Sequence, residues 1–204
     1  YLVTFAQTGL DSTATGTVLT VNGDTKTFLN LPNTTWVDDG GSISYYYSDT
    51  VSSSISGKRF SLVNVTGPAS PISVTGPVTV TGNYKTQYYL TMIPNFGTVT
   101  PGSGWHDAAS TIQINASAPS VVGGEQYVWL RWIGTGSGSY SSTDNPASLT
   151  MNGPINETAA WKHEYKLTVN SPHGSPTPTT GWFEAGESIT ASVTSPVSGS
   201  ADTQ

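Results

Sequence analysis

The chain contains no cysteine, so neither a disulfide framework nor thiol chemistry is open to it, and its compartment must be inferred from other features. Charge is scarce too: Asp, Glu, Lys and Arg make up 10% of the residues, against roughly 25% in an ordinary soluble domain. The 7 Lys and Arg are spread along a chain of net charge −6, which leaves no basic patch to hold a phosphate backbone. That argues against nucleic acid as a partner. No apolar run approaches the roughly 20 residues needed to span a membrane, and no leader peptide is visible. Because the chain opens on Tyr1 and not on Met, it is read as a processed or excised piece, and a missing leader does not count against secretion. Helical periodicity is absent as well, and 22 Gly with 13 Pro would interrupt most helices.

What the chain does have is aromatic residues, alternation and repetition. Its 6 Trp and 10 Tyr can build cores, so low charge here does not mean disorder. Tyr88, Leu90 and Met92 alternate with Tyr89 and Thr91, and Tyr165, Leu167 and Val169 alternate with Lys166 and Thr168. Each segment therefore presents one apolar face of a strand. Further strands are predicted at residues 16–21, 25–31, 42–47, 59–65, 77–84, 111–116, 126–133, 148–151, 156–161 and 188–193. Asn22-Gly23 supplies the positive φ values of a two-residue hairpin turn between two of them.

The repetition has one constant offset. Trp105 returns as Trp182 (182 − 105 = 77), Tyr88 returns as Tyr165, and Gly76-Pro77 returns as Gly153-Pro154. A more divergent first copy carries Leu2-Val3-Thr4-Phe5 and Trp36-Val37-Asp38-Asp39-Gly40. Self-similarity at a long fixed period is the mark of a modular array, whose role is reach and surface more than chemistry. The expected fold is all-β, a tandem array of sandwich-like or grasp-like modules of roughly 80 residues with boundaries at 1–87, 88–164 and 165–204. Almost no linker separates them, since Trp161 lies four residues before Tyr165. The last strand of one module should thus feed nearly directly into the first strand of the next.

The segments "VTVTGNYKTQYYLT…GSGWHDAASTI" and "MNGPINETAAWKHEYKLTV…TGWFEAGESITASV" carry a family resemblance. They resemble the repeats of archaeal secreted and cell-surface proteins, S-layer-like and filament-forming proteins among them. More loosely they are similar to the internalin B-type repeats of bacterial surface adhesins. The resemblance covers the second and third copies well and the first in part. It implies an extracellular stalk, coat or fibre, often glycosylated and sometimes appended to a secreted protease. It brings no catalytic residue with it.

The third copy, 165–204, is incomplete. Nothing in it corresponds to the later strands of the second, so Leu167, Val169, Ile189 and Val193 are expected to lack cover and to form a subunit contact. The missing strands would come from later residues of a longer chain or from another copy, as in donor-strand polymers.

Candidate chemistry is thin by comparison. His106-Asp107 has the residue types of a base or a metal ligand, but its equivalents are Val37-Asp38 and Phe183-Glu184. The acid recurs and the His does not, so the acid is read as satisfying backbone donors in a turn. His163 and His173 have no visible convergent partners. Asp38-Asp39-Gly40 falls short of the 6 to 8 oxygens, roughly, that calcium takes. No Gly-x-Ser-x-Gly elbow occurs, and neither an enzyme nor a cofactor is expected.

Three surface features remain. Trp129 and Arg131 share one face of their predicted strand and Leu130 and Trp132 the other, giving a face for sugar stacking or for module packing. Trp36, Trp105 and Trp182, by recurring, read as core anchors. Asn33, Asn64, Asn115 and Asn156 each begin an Asn-x-Ser/Thr sequon, and N-linked glycans would keep so uncharged a surface solvated. Lys85 and Lys162, 77 apart, are candidates for isopeptide crosslinks. The expected function is a structural component of an extracellular filament, coat or stalk on the cell surface, with copies of itself, adjacent repeats and N-linked glycans as partners. The competing class is a carbohydrate-binding accessory array of a secreted hydrolase or adhesin.

Overall fold

The computed structural model describes residues 1–172 and 174–194. Strands joined by turns and loops make up their regular structure, apart from one turn of 3-10 helix at Phe28–Asn30. No helix among them is long and apolar enough to cross a membrane. Strands Leu19–Val21 and Asp24–Lys26 make the hairpin expected at Asn22-Gly23, with φ of 49° and 92° at its two corner residues.

Two long strands organise the molecule. Segments 77–84 and 88–92, read as separate strands in the sequence, are one strand of 16 residues, Val78–Ile93. Residues 156–161 likewise run on into the next segment as Ile155–Leu167. We call these the first and second junction strands. The first half of the first junction strand pairs in parallel with Leu2–Thr8, Val3 opposite Val78 and Phe5 opposite Val80. Its last residues pair in parallel with the second junction strand, Leu90 opposite Ile155 and Ile93 opposite Thr158. One ten-stranded sheet therefore runs the length of the described chain.

Two clusters of buried side chains lie against this sheet. Val3, Phe5, Leu19, Tyr47, Phe60 and Val80 belong to the first, and Leu90, Ile114, Trp132, Met151 and Ile155 to the second. Val80, Tyr84, Leu90 and Met92 are all even-numbered residues of the first junction strand, so one face of that strand serves both clusters. The far side of the first cluster is closed by Leu19–Val21 between Asp24–Lys26 and Tyr45–Tyr47. The far side of the second is closed by Thr111–Ser117 between Thr98–Thr100 and Ala147–Thr150. In the first cluster the Tyr47 hydroxyl shares its proton between the carbonyls of Ala6 (2.6 Å) and Val80 (3.1 Å). Gly82 makes room for that ring, since a Cβ there would lie 2.5 Å from it.

The offset of 77 is written into the pairing. Strand Gly104–Asp107 pairs with the first junction strand, Gln87 opposite Asp107 and Tyr89 opposite Trp105. Strand Gly181–Glu184 pairs with the second, Glu164 opposite Glu184 and Lys166 opposite Trp182. Every member of the second set lies 77 residues beyond its counterpart. The first copy shows the same register, with Leu2 opposite Trp36. Side-chain contacts follow suit: the Met92 amide donates to Ser103 Oγ and the Val169 amide to Thr180 Oγ1, each at 2.9 Å.

Candidate functional site

Among the described residues the third copy differs from the second on one side of its first strand. In the second copy the amide and carbonyl of Met92 face Ser103, so those of Thr91 and Ile93 face the opposite side, where the second junction strand runs in parallel. In the third copy Val169 faces Thr180 in the same way. The backbone of Thr168 and Asn170 therefore points to the side that Ile155–Thr158 fills one copy earlier, and among the described residues no strand pairs with them there. Burial records the same gap. Leu90, Met92 and Ala116 are buried, whereas their equivalents Leu167 and Val169 are only half-buried and Val193 is 49% exposed. Ile189, like its equivalent Ile112, is half-buried. Of the third copy, residues 195–204 lie outside the described residues, as does His173.

The recurring Trp residues are not core anchors. Trp36 is 78% exposed, and Trp105 and Trp182 are half-buried. The reason is register: Trp105 sits opposite Tyr89, and the odd-numbered residues of the first junction strand face away from the clusters. Arg59 lies over the Trp105 indole, 4.4 Å from its centroid, and Tyr89 meets it at 71°. These rings, with Ser56, Gly57, Thr91, Pro154 and Asn156, line a groove of about 440 Å³ on the outer face of the sheet.

Neighbouring residues divide between the two faces. His106 is half-buried opposite Tyr88, while Asp107 points outward and accepts from Lys85 Nζ and Gln87 Nε2, each at 2.8 Å. The expected turn role of this acid is thus taken by side-chain donors. The Lys85 ammonium, then Gln87, hold the Asp107 carboxyl below its usual range. An ionised carboxylate beside an exposed ammonium is the reverse of what amide formation needs, so Lys85 is an ion-pair residue here. Lys162 repeats it loosely, 3.9 Å from Glu184, and bonds Glu164 at 2.7 Å. Among the described residues no three His, Asp or Glu side chains gather as a metal site.

Trp129 and Arg131 do not share a face. A β-bulge at Leu130 places Trp129 opposite Trp161 and Arg131 opposite Ala160, which shifts the alternation by one residue. Trp129 and Trp132 consequently meet edge to face at 5.1 Å on the inner side, and Arg131 is exposed. Trp129 also donates through Nε1 to the Thr143 carbonyl and contacts Trp161. Further along, Phe96, Tyr127 and His163 stack at 4.1 and 4.5 Å, and Tyr165 tilts against His163 at 4.5 Å. The inner rings of this ladder spend their faces on one another.

Sequence reasoning passed over Glu157, the one charged residue among the described residues that is fully buried. Its Oε1 accepts from the Tyr140 amide at 2.7 Å, and its Oε2 has no protein partner. Gly134 makes the space for it, since a Cβ there would lie 2.5 Å from Oε1. Burial pushes the Glu157 carboxyl above its ordinary value of 4.5, opposed by the Tyr140 N–H. An acid raised in this way costs stability while it is ionised, fully above the folded-state value, and the cost is relieved as pH falls through that value toward 4.5. Acidification from about pH 7 to about pH 5 is therefore expected to raise the Tm of the wild type relative to Glu157→Gln. Parallel Tm profiles for the two proteins over that interval would contradict it.

No family model matches this chain, and no curated protein and no solved structure does either.

Proposed function

We propose that this chain is a structural array of tandem sandwich-like β-modules of roughly 80 residues, 1–87, 88–164 and 165–204, within an extracellular filament, surface coat or stalk. The observation that carries the reading is the pair of junction strands. Val78–Ile93 and Ile155–Leu167 each close one copy and open the next with no linker between, and their pairing partners recur 77 residues apart. A shared strand passes tension from core to core along its covalent backbone, while ladder hydrogen bonds tie each core to it, a geometry suited to mechanical continuity. The third copy offers a strand side that is unpaired among the described residues. Its side at Leu167–Asn170 takes a strand from a neighbouring polypeptide, a copy of this chain or an adjacent repeat, which covers Leu167, Val169, Ile189 and Val193. N-linked glycans on at least one of Asn33, Asn64, Asn115 and Asn156 solvate a surface with little charge.

The reading makes the protein a cell-surface component without catalysis, in line with the resemblance to archaeal surface and filament repeats. The carbohydrate-binding alternative loses its chosen face, because Trp129 packs inward and Arg131 outward. Electron microscopy of material from the natural source tests the proposal. Fibres or sheets containing this chain are expected, and a dispersed monomer at native abundance would overturn it.

A further inference from the structure

The groove beside Trp105 is lined by a sequon asparagine as well as by two aromatic rings. Asn156 and Thr158, first and third residues of a sequon, lie on one strand at a spacing of two and so project from the same outer face. Between them Glu157 points inward and is fully buried, which fixes the orientation of both. Asn156 is exposed, sits opposite Thr91 and lines the groove whose walls include Tyr89 and Trp105. Tyr89 stands two residues from Thr91 on the same face, roughly 7 Å away, a span that one pyranose covers. Gly57 bonds the Tyr89 amide through its carbonyl at 2.9 Å, and its Cα passes so near Pro154 that a Cβ would lie 2.8 Å from that ring. The groove is thus built of held parts.

The other sequons lack this setting. Asn64 Oδ1 is engaged by Asn83 Nδ2 at 2.7 Å. Asn33 is half-buried and lines a groove walled by Val21, Asp24 and Lys26. Asn115 is exposed on strand Thr111–Ser117, away from Trp105 in the sheet order.

We propose that Asn156 is an N-glycan acceptor and that its first sugar lies in this groove, with its C–H face against Tyr89 and against the side of the Trp105 indole away from Arg59. The inference rests on the proposal above that the chain is N-glycosylated. In the transfer, the Asn156 amide nitrogen forms a bond to the anomeric carbon of a lipid-phosphate-linked oligosaccharide. The anomeric C–O bond to phosphate breaks, the lipid phosphate leaves with the electron pair, and Nδ2 loses one proton. An apolar sugar face on an indole buries surface that otherwise stays wet, and the first residue of an attached glycan is held there at high effective concentration.

The test uses the full chain from its natural source or from a host that N-glycosylates. Peptide mass spectrometry at the four sequons is expected to find Asn156 occupied. In the wild type, enzymatic removal of the glycan is expected to lower Tm by about 2–4 °C, and in Trp105→Ala by less than half as much. In the wild-type glycoprotein, nuclear Overhauser contacts are expected between sugar-ring protons and the Trp105 indole, a readout that does not depend on how the variant folds. Glycans at other sequons with Asn156 bare would overturn this inference and leave the general proposal standing, and four bare sequons would overturn both. Occupancy of Asn156 without indole contacts, or with the same Tm loss in both proteins, would overturn the seating of the sugar.

Discussion

Trp132→Ala is expected to destabilise the chain by about 3–5 kcal/mol, the range for large aromatic core truncations. Trp132 is fully buried, faces Ala159 on the second junction strand and lies in the cluster that holds Leu90, Ile114 and Ile155. Loss of the indole leaves a cavity beneath the point where two copies share their sheet. At roughly 2–4 °C per kcal/mol for a chain of this size, Tm should fall by roughly 6–20 °C. Trp36→Ala, at a ring 78% exposed, should stay within about 0.5 kcal/mol. Urea unfolding of the two variants checks the contrast. Equal losses would mean that recurrence, and not burial, marks the structural Trp residues.

The second large effect concerns assembly. Thr168→Pro is expected to weaken association between copies at least about tenfold, the equivalent of 1.4 kcal/mol, while the Tm of the separated chain moves by no more than about 2 °C. Proline removes the N–H that a parallel neighbour strand would accept from, and its ring crowds that side. The chain's own fold tolerates it because Thr168 pairs with no strand among the described residues. Sedimentation of wild type and variant across a concentration series reads the difference. Unchanged association would place the contact elsewhere on the molecule.

The periodic parts of this fold were legible in the residues, and the departures from periodicity were not. Alternation at Tyr88, Leu90 and Met92, the Asn22-Gly23 turn and the offset of 77 each depend on local chemistry or on comparing the chain with itself, and all three reappear in the pairing. The missing linker led to the expectation that 77–84 feeds nearly directly into 88–92, but the polar Lys85 and Gln87 between them hid that the two are one continuous strand. Their polarity is explained by Asp107, which meets both on the outer face. Leu130 carries no mark of a bulge, yet one extra residue there sends Trp129 and Arg131 to opposite faces. Recurrence of Trp36, Trp105 and Trp182 showed that the position matters to the repeat, but only the pairing with Leu2, Tyr89 and Lys166 shows which side of the sheet each occupies. Glu157 was passed over because a lone acid in a strand reads as solvated, and only Gly134 and the Tyr140 amide make its burial possible.

Amide hydrogen exchange at Thr168 and Asn170 directly probes the side of the third copy that is unpaired among the described residues. In the separated chain both amides should exchange nearly as fast as an unstructured peptide, while those of Thr91 and Ile93, which face the second junction strand, are protected. In the assembled material the same two amides should slow by at least about a hundredfold as a neighbouring strand takes them up. Fast exchange at Thr168 and Asn170 in intact assemblies, or strong protection already present in a monomer, would contradict strand addition at this edge.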